Sequence, residues 1–536
     1  MNTPPAISPP AISPPAISPA DPVVADQQRV FARLADPATH GMSGPVRRID
    51  THGAVVFLAG KDVYKVKRAV RFPFMDLSTL ERRHAACRRE LEVNRDNAPG
   101  HYLGLVPIVA RAGGLHLGGA GDIVEWAVHM RRFDEEATLD HVAARGGLDN
   151  QLIDALAQAV AAAHERAPRH PEWDVPGALA GVAAGVVDGL RERPELFAPA
   201  RVAALEAMLG SALGRLAPLL AARAGQGEVR RCHGDLHLRN IARIAGAPVL
   251  FDALEFDEGL ATIDLLYDLA FLLMDLGSRG EALAANRLLN AYLKARGAAP
   301  PYDGLAALPL FLALRAGIRA QVSAAALAHR TGAALEAGRA EALSYLAFAE
   351  VALTPVPARL LAIGGLSGTG KSTLAAHLAP AIGPLPGAVH LRSDVERKRL
   401  AGVGEFDRLP PAAYTREATE EVYATLRARA AAVLASGHGV VVDAVHQRPE
   451  ERDALAAVAQ QAGLGFSGLW LEAPVDALAA RVEARRGDAS DATVEVLKQQ
   501  AEREVGKLDW IRLSAAGTPE ELLARAQAAL GRAVHR

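Results

Sequence analysis

The sequence predicts two domains of different class, an α+β domain up to residue 353 and an α/β domain with a parallel sheet over residues 359–536. Three observations predict this. At 536 residues the chain exceeds what one ordinary hydrophobic core serves. The stiff break Thr354-Pro355-Val356-Pro357 separates a region dominated by Ala- and Leu-rich helices from one in which strand and helix patterns alternate. The run Gly365-Leu366-Ser367-Gly368-Thr369-Gly370-Lys371-Ser372 fits G-x-x-x-x-G-K-[ST] at every fixed position. It follows an apolar strand pattern at 360–363 and precedes a helix-forming stretch that begins at Thr373. The boundaries are then a tail (1–28), a first domain (29–353), a linker (354–358) and a second domain (359–536).

The glycine-rich run defines a nucleotide site. Its glycines allow tight turns that aim successive N–H groups at phosphate oxygens, Lys371 adds a compact positive charge, and the Ser372 hydroxyl is a ligand for Mg²⁺. Residues 365–373 are therefore the expected ATP-binding segment, with ATP and Mg²⁺ as cofactors. Formal net charge is −2 and 50% of residues are hydrophobic, a globular composition without overall bias toward nucleic acid or an anionic membrane. Cys87 and Cys232 lie far apart and lack metal-ligand spacing, which suits a reducing cytoplasm. No apolar run reaches about 18 residues and no secretory pattern opens the chain, so the expectation is a cytoplasmic protein without a membrane partner. None of these signals encodes an oligomeric state. Residues 4–18 are three copies of Pro-Pro-Ala-Ile-Ser, expected to form a disordered or polyproline-like tail.

In the first domain, alternating runs at 46–51, 54–58 and 62–67 are broken by His52-Gly53 and Ala59-Gly60, the pattern of an antiparallel meander. Its third strand puts Lys65 and Lys67 on one face. Residues 77–94 read as a charged amphipathic helix carrying Glu90. Residues 103–111 and 123–130 read as strands, the first moved toward a sheet edge by Pro107. Helices then dominate from 152 to about 353, interrupted by a strand-like passage at 229–256.

That passage holds His233-Gly234-Asp235-Leu236-His237-Leu238-Arg239-Asn240 and, further on, Val249-Leu250-Phe251-Asp252. The spacing suits phosphoryl transfer. Asp235 can accept the proton of an attacking hydroxyl, while Asn240 and Asp252 present oxygens to Mg²⁺ bridging the phosphates. Lys65 and Glu90 stand upstream in the order of a phosphate-binding lysine and its helix partner.

The run from His233 to Asn240 resembles the signature of the aminoglycoside phosphotransferase and choline kinase superfamily, and the resemblance spans roughly residues 29–353. It implies a bilobal, protein-kinase-like fold in which Asp235 is the catalytic base, Asn240 and Asp252 bind metal, and Lys65 pairs with Glu90. It also implies that Glu125 to Val128 form the hinge holding adenine, and that Asp268 packs beneath the catalytic loop. The chain departs from the kinase pattern in one respect: no G-x-G-x-x-G loop precedes Lys65, and Thr51-His52-Gly53 is the turn in its place. Lys67 is the rival for the role of Lys65. The acidic runs Asp134-Glu135-Glu136 and Asp257-Glu258 read as solvated faces.

In the second domain Asp394 follows a short strand and is placed to orient or deprotonate an acceptor hydroxyl. Asp443 ends the buried run 440–442, where a carboxylate holds Mg²⁺ through water. Arg481 and Arg485 share a helical face suited to a lid that clamps phosphates. These features resemble small P-loop kinases of the gluconate kinase, zeta toxin and polynucleotide kinase group over about 359–533. The whole chain resembles bacterial fusions of an aminoglycoside phosphotransferase-like half with an ATP-binding half. The expectation is two ATP·Mg²⁺ sites, each phosphorylating hydroxyl groups of small molecules. One alternative is a nucleotide-gated regulatory protein with one degenerate kinase half. Another is a P-loop half acting on polynucleotide 5′-hydroxyls, which Arg397, Lys398 and Arg399 permit and the near-zero net charge argues against.

Overall fold

Two unrelated sheets organise the chain. The computed structural model describes residues 22–534 apart from His52, Pro73, Phe74, Ala298, Ala299 and Arg486; the proline-rich repeat lies outside the described residues. The chain divides into two compact units, Met1–Ser278 with Leu310–Val351, and Arg279–Pro309 with Ala352–Arg536.

The first unit begins with α1 (Pro22–Ala35), so the expected tail ends before residue 28. The cause is local: Pro22 suits a first helical turn, and Val30, Phe31 and Leu34 recur at helical spacing and pack on Val55, Phe57 and Val66 of the sheet. The meander is β1 (Arg47–Asp50), β2 (Ala54–Ala59) and β3 (Asp62–Lys67), followed by a hairpin, β4 (Arg71–Phe72) and β5 (Met75–Asp76). Next come α2 (Leu80–Arg95), β6 (Tyr102–Arg111), β7 (Gly114–Leu117) and β8 (Asp122–Arg131). The sheet is antiparallel in the order β1-β2-β3-β8-β6-β7. β6 is therefore interior, not an edge strand as Pro107 suggested. Its partner β7 pairs only with residues Ile108 to Arg111, so the missing N–H of Pro107 falls just short of that ladder. Strand alternation turns Val66 toward α1 and Lys65 and Lys67 toward α2.

The helical part contains α3 (Leu139–Ala144), α4 (Asn150–Arg166), α5 (Val175–Arg191) and α6 (Pro199–Gly225). The segment around residues 233–240 follows with β9 (Val229–Arg231), the hairpin β10 (Ile241–Ile244) and β11 (Ala247–Leu250), α7 (Glu258–Ala261), β12 (Thr262–Asp264) and α8 (Leu265–Ser278). After α9 (Ala282–Ala295), α10 (Leu308–Ala325) and α11 (Gly332–Leu353) complete this stretch. The helices Pro199–Gly225 and Tyr302–Ala328 are long and apolar enough to cross a membrane, as core helices also are; of their most apolar 18-residue windows, 28% and 67% are buried within the fold.

The second unit is a parallel sheet of β13 (Arg359–Gly365), β14 (Val389–Arg392), β15 (Val440–Asp443), β16 (Gly465–Glu472) and β17 (Ile511–Ser514), ordered β14-β15-β13-β16-β17. Its helices are α12 (Lys371–Leu378), α13 (Ser393–Leu400), α14 (Arg416–Ala435), α15 (Pro449–Gln461), α16 (Val475–Ala484), α17 (Val494–Ala501) and α18 (Pro519–Val534). Ile363 is in register with Asp443, so the phosphate loop leaves the sheet beside that carboxylate. Carboxyl ends of parallel strands are where such folds bind ligands. The expected first domain runs without a break over residues 29–353, whereas Arg279–Pro309 is part of this second unit. Its helix α9 buries Leu288, Leu289, Tyr292 and Leu293, and an apolar face settles where a helix packs.

Candidate active sites

In the first unit the sheet and α2 bring Lys65 to Glu90. Lys65 Nζ lies 2.9 Å from Glu90 Oε1 and 2.6 Å from Asp252 Oδ1. Lys67 Nζ lies 2.6 Å from the other Glu90 oxygen and pairs with Glu255, which the sequence reading did not single out. The two rivals thus divide one carboxylate between them, and only Lys65 also meets Asp252. Burial opposes charge on Lys65, but Asp252, Glu90 and Glu255 outweigh it and hold the ammonium protonated. Burial likewise opposes ionisation of Glu90, and the two lysines pull its pKa below the ordinary range.

Asp235 joins the same network through Asn240, whose Nδ2 donates to the Asp235 carbonyl and carboxylate at 2.9 Å each. The Asn240 carbonyl accepts the Phe251 N–H at 3.0 Å, one residue before Asp252. Asp252 has φ 62° and its N–H donates to Tyr102 Oη at 3.1 Å. Such left-handed backbone in a non-glycine residue is held by surrounding contacts and clusters at functional sites. Burial raises the Asp235 pKa, yet His237 at 3.4 Å, with His233 and Arg315, holds it far below the usual carboxylate range. Asp268 accepts the N–H groups of His233 and Gly234 at 3.1 and 2.9 Å, and Asp275 that of Leu238 at 3.0 Å, so α8 supports the loop from beneath.

Glu125 and Val128 do not reach a nucleotide-facing surface. Both lie within β8 and are fully buried. Glu125 accepts Arg83 Nε at 2.8 Å, Gln27 Nε2 at 2.6 Å and the Trp126 N–H at 3.0 Å. The turn expected to replace the glycine-rich loop joins β1 to β2 around Thr51 and Gly53, with His52 outside the described residues.

In the second unit residues 365–373 form the turn from β13 into α12. Gly368 has φ +84°, and a Cβ there would stand 2.8 Å from the Leu478 carbonyl, so the loop can close only on glycine. Ser367 N–H donates to Gln500 Oε1 at 3.1 Å, and Lys371 Nζ to the Leu366 carbonyl at 3.0 Å. Burial lowers the Lys371 pKa against the pull of the Asp443 and Asp394 charges. Ser372 Oγ donates to Asp443 Oδ1 at 3.2 Å. Burial opposes ionisation of Asp443, but its hydrogen bond with His390 and the charges of Arg392 and Lys371 keep it ionised.

A cavity of about 240 Å³ opens beside the loop, lined by Thr369, Gly370, His377, Arg481, Gly517 and Thr518. The sequence reading missed its far wall, because nothing local marks the turn after β17 as part of a site. Arg481 and Arg485 have different partners: Arg481 donates to the Ala515 carbonyl at this cavity at 3.0 Å, and Arg485 donates to the Ala492 carbonyl at 2.9 Å while its charge also acts on Lys371. The basic run on α13 is engaged internally. Lys398 lies 2.7 Å from Asp491, Arg397 donates to the Ala413 carbonyl at 2.6 Å, and Arg399 donates to Glu396 at 2.8 Å.

Residues 61–308 match the phosphotransferase enzyme family, and residues 360–504 match an AAA domain family. Among solved structures, a choline/ethanolamine kinase family protein from Mesorhizobium loti aligns with 61% of this chain and 99% of its own, at 16% identity and a TM-score of 0.35. A gluconokinase from Sinorhizobium meliloti aligns with 33% of this chain and 93% of its own, at 23% identity and a TM-score of 0.25. The chain is an aminoglycoside phosphotransferase-like, protein-kinase-fold domain fused to a P-loop NTPase domain. It belongs to one family with an uncharacterized protein of Mycobacterium tuberculosis, 32% identical over 488 residues that cover 89% of this chain and 94% of that one. An uncharacterized protein of Mycobacterium bovis matches to the same extent.

Proposed function

We propose that this chain is an ATP-dependent phosphotransferase with two separate Mg²⁺·ATP sites, each moving a γ-phosphoryl group to a hydroxyl of a small molecule in the cytoplasm. The observation that carries the reading is the Glu90–Lys65–Asp252 ion pairs and the Asn240–Asp235 pair, which the Phe251 N–H joins by its bond to the Asn240 carbonyl, together with a complete phosphate loop in the other unit. Both sites fit Mg²⁺ by their donors, which are all oxygens: Asp252 and Asn240 in one, Ser372 and Asp443 in the other. When bound, the ion neutralises charge on the phosphates. The chain's own groups do the rest by position. Lys65 and Lys371 direct phosphate oxygens; Lys65 is oriented by the carboxylates it touches and Lys371 by the Leu366 carbonyl. Asp235 is ionised at neutral pH and open enough, at 37% side-chain exposure, to accept a hydroxyl proton as the acceptor attacks. Asp394, in the first turn of α13, is the corresponding acceptor-orienting carboxylate, and its charge acts on Lys371.

The test is ATP-dependent phosphorylation of a metabolite extract by wild type, Asp235→Asn and Lys371→Ala, with products identified by mass. The expected result is that each variant loses a different product. If Asp235→Asn changes neither product nor ATP consumption while Lys371→Ala abolishes both, the first unit is a regulatory nucleotide binder and the two-enzyme reading fails.

A further inference from the structure

β14 is one of the two edge strands of the parallel sheet, and an edge strand exposes backbone groups that need cover. α9 supplies that cover with two side-chain amides. Asn286 Nδ2 donates to the carbonyls of Pro386 at 3.3 Å and Ala388 at 3.0 Å, and Asn290 Nδ2 donates to Ala388 at 3.1 Å. Asn290 Oδ1 in turn accepts the His390 N–H at 2.7 Å. The held strand ends in the phosphate site. His390 Nε2 lies 2.5 Å from Asp443 Oδ2, and the other Asp443 oxygen accepts from Ser372. A second line starts one helical turn further along α9. Lys294 pairs with Glu405, and Glu405 Oε1 lies 3.8 Å from Arg392 Nη1. Arg392 is 3.1 Å from Asp488 and 3.8 Å from Asp443.

We infer that α9 is a positioning element of the P-loop site: through Asn290 and Lys294 it fixes His390 and Arg392, and through them the Asp443 carboxylate that governs the Mg²⁺ requirement. The inference rests on the reading of the second unit as an ATP·Mg²⁺ site. α9 falls inside the 61–308 segment that matches the phosphotransferase family, yet it packs as part of the P-loop unit. A P-loop unit begun at residue 354 would therefore lack the helix that holds β14. The physical reason is that ligand-orienting partners one layer out set the geometry of a metal-binding carboxylate.

The experiment uses the full-length chain carrying Asp235→Asn, so that ATP turnover reports the second unit. Asn290→Ala, Lys294→Ala and Lys294→Arg are compared in three readouts: Mg²⁺ dependence of turnover, Mg²⁺-dependent binding of a fluorescent ATP analogue, and hydrogen exchange over residues 388–392. Asn290→Ala is expected to raise the half-saturating Mg²⁺ concentration about tenfold in both turnover and binding. It should also speed exchange at residues 388–392, while KM for ATP at saturating Mg²⁺ stays within about twofold. Lys294 is half-exposed and its substitution spares the fold; Lys294→Ala is expected to give a smaller rise, about threefold, that Lys294→Arg reverses. If Lys371→Ala abolishes turnover but Asn290→Ala and Lys294→Ala keep the wild-type Mg²⁺ dependence, α9 is only a cover and the inference is overturned. If Lys371→Ala leaves turnover intact, the underlying assignment of the ATP site fails instead.

Discussion

Glu125 offers a sharp test of how the first unit is built, because two opposed roles for it predict opposite results. The resemblance to kinases makes it a hinge residue that touches adenine; the structure makes it the fully buried counter-ion of Arg83. Glu125→Gln keeps the shape and removes the charge, so no cavity contributes to the outcome. Arg83, only 4% exposed, would be left as an uncompensated buried cation, and Gln27 Nε2 would face another amide. Breaking a buried pair on one side costs about 3–5 kcal/mol. For a unit of this size that lowers the unfolding temperature by on the order of 10 °C. The assay is thermal and urea unfolding followed by fluorescence, to which the neighbouring Trp126 contributes, with Lys371-dependent ATP turnover as the control that the second unit is intact. Arg83→Met combined with Glu125→Leu should recover much of the loss, since apolar groups of similar size often replace such pairs without penalty. Wild-type stability in Glu125→Gln together with a raised KM for ATP at the Asp235 site would refute the structural assignment.

Three further outcomes are expected. Gly234 has φ +82° and a Cβ there would meet Leu254 Cδ1 at 2.7 Å, so Gly234→Ala should cut the Asp235-dependent product about a hundredfold and leave the Lys371-dependent product unchanged, as measured by mass. Burial draws the His438 pKa from 6.5 down to about 4 against its hydrogen bond with the Gly387 carbonyl. The unfolded chain then binds the extra proton, so this stabilisation is complete above pH 6.5 and is lost as pH falls to 4, at about 1.4 kcal/mol per pH unit; urea unfolding of His438→Gln should show a flatter acid slope. With residues 397–399 engaged internally, labelled ATP should give no Lys371-dependent transfer to a 5′-hydroxyl oligonucleotide at low salt. Transfer that falls steeply with salt would restore the nucleic-acid reading.

Much of both sites is legible in the chain because phosphate chemistry is written at short range. Residues 365–372 carry their whole geometry within one turn, and the run from His233 to Asn240 sets the Asp235 to Asn240 contact through a single loop. Strand alternation alone puts Lys65 and Lys67 on one face. Residue order suggested Glu90 as their partner, and the structure adds that Glu90 serves both. What stayed hidden depends on contacts between segments distant in sequence. Glu125 looks like any acidic residue on a strand until Arg83 and Gln27 close over it. Glu255 carries no motif, and only the return of the chain past β3 brings it to Lys67. The strand-edge role inferred from Pro107 failed because β7 supplies a partner that begins one residue later.

The sequence by itself determined the two folds, the phosphate loop, the catalytic-loop spacing and the order of lysine and glutamate, since each follows from local periodicity or from a motif that closes on itself. Only the tertiary structure decided that α9 belongs with the P-loop unit, that the Arg397 to Arg399 run is internally engaged, and that Asp443 is held by His390 and Arg392. The physical reason is the same in each case. A helix's apolar face says that it must be buried but not against what, and a charged side chain says that it needs a partner but not which one.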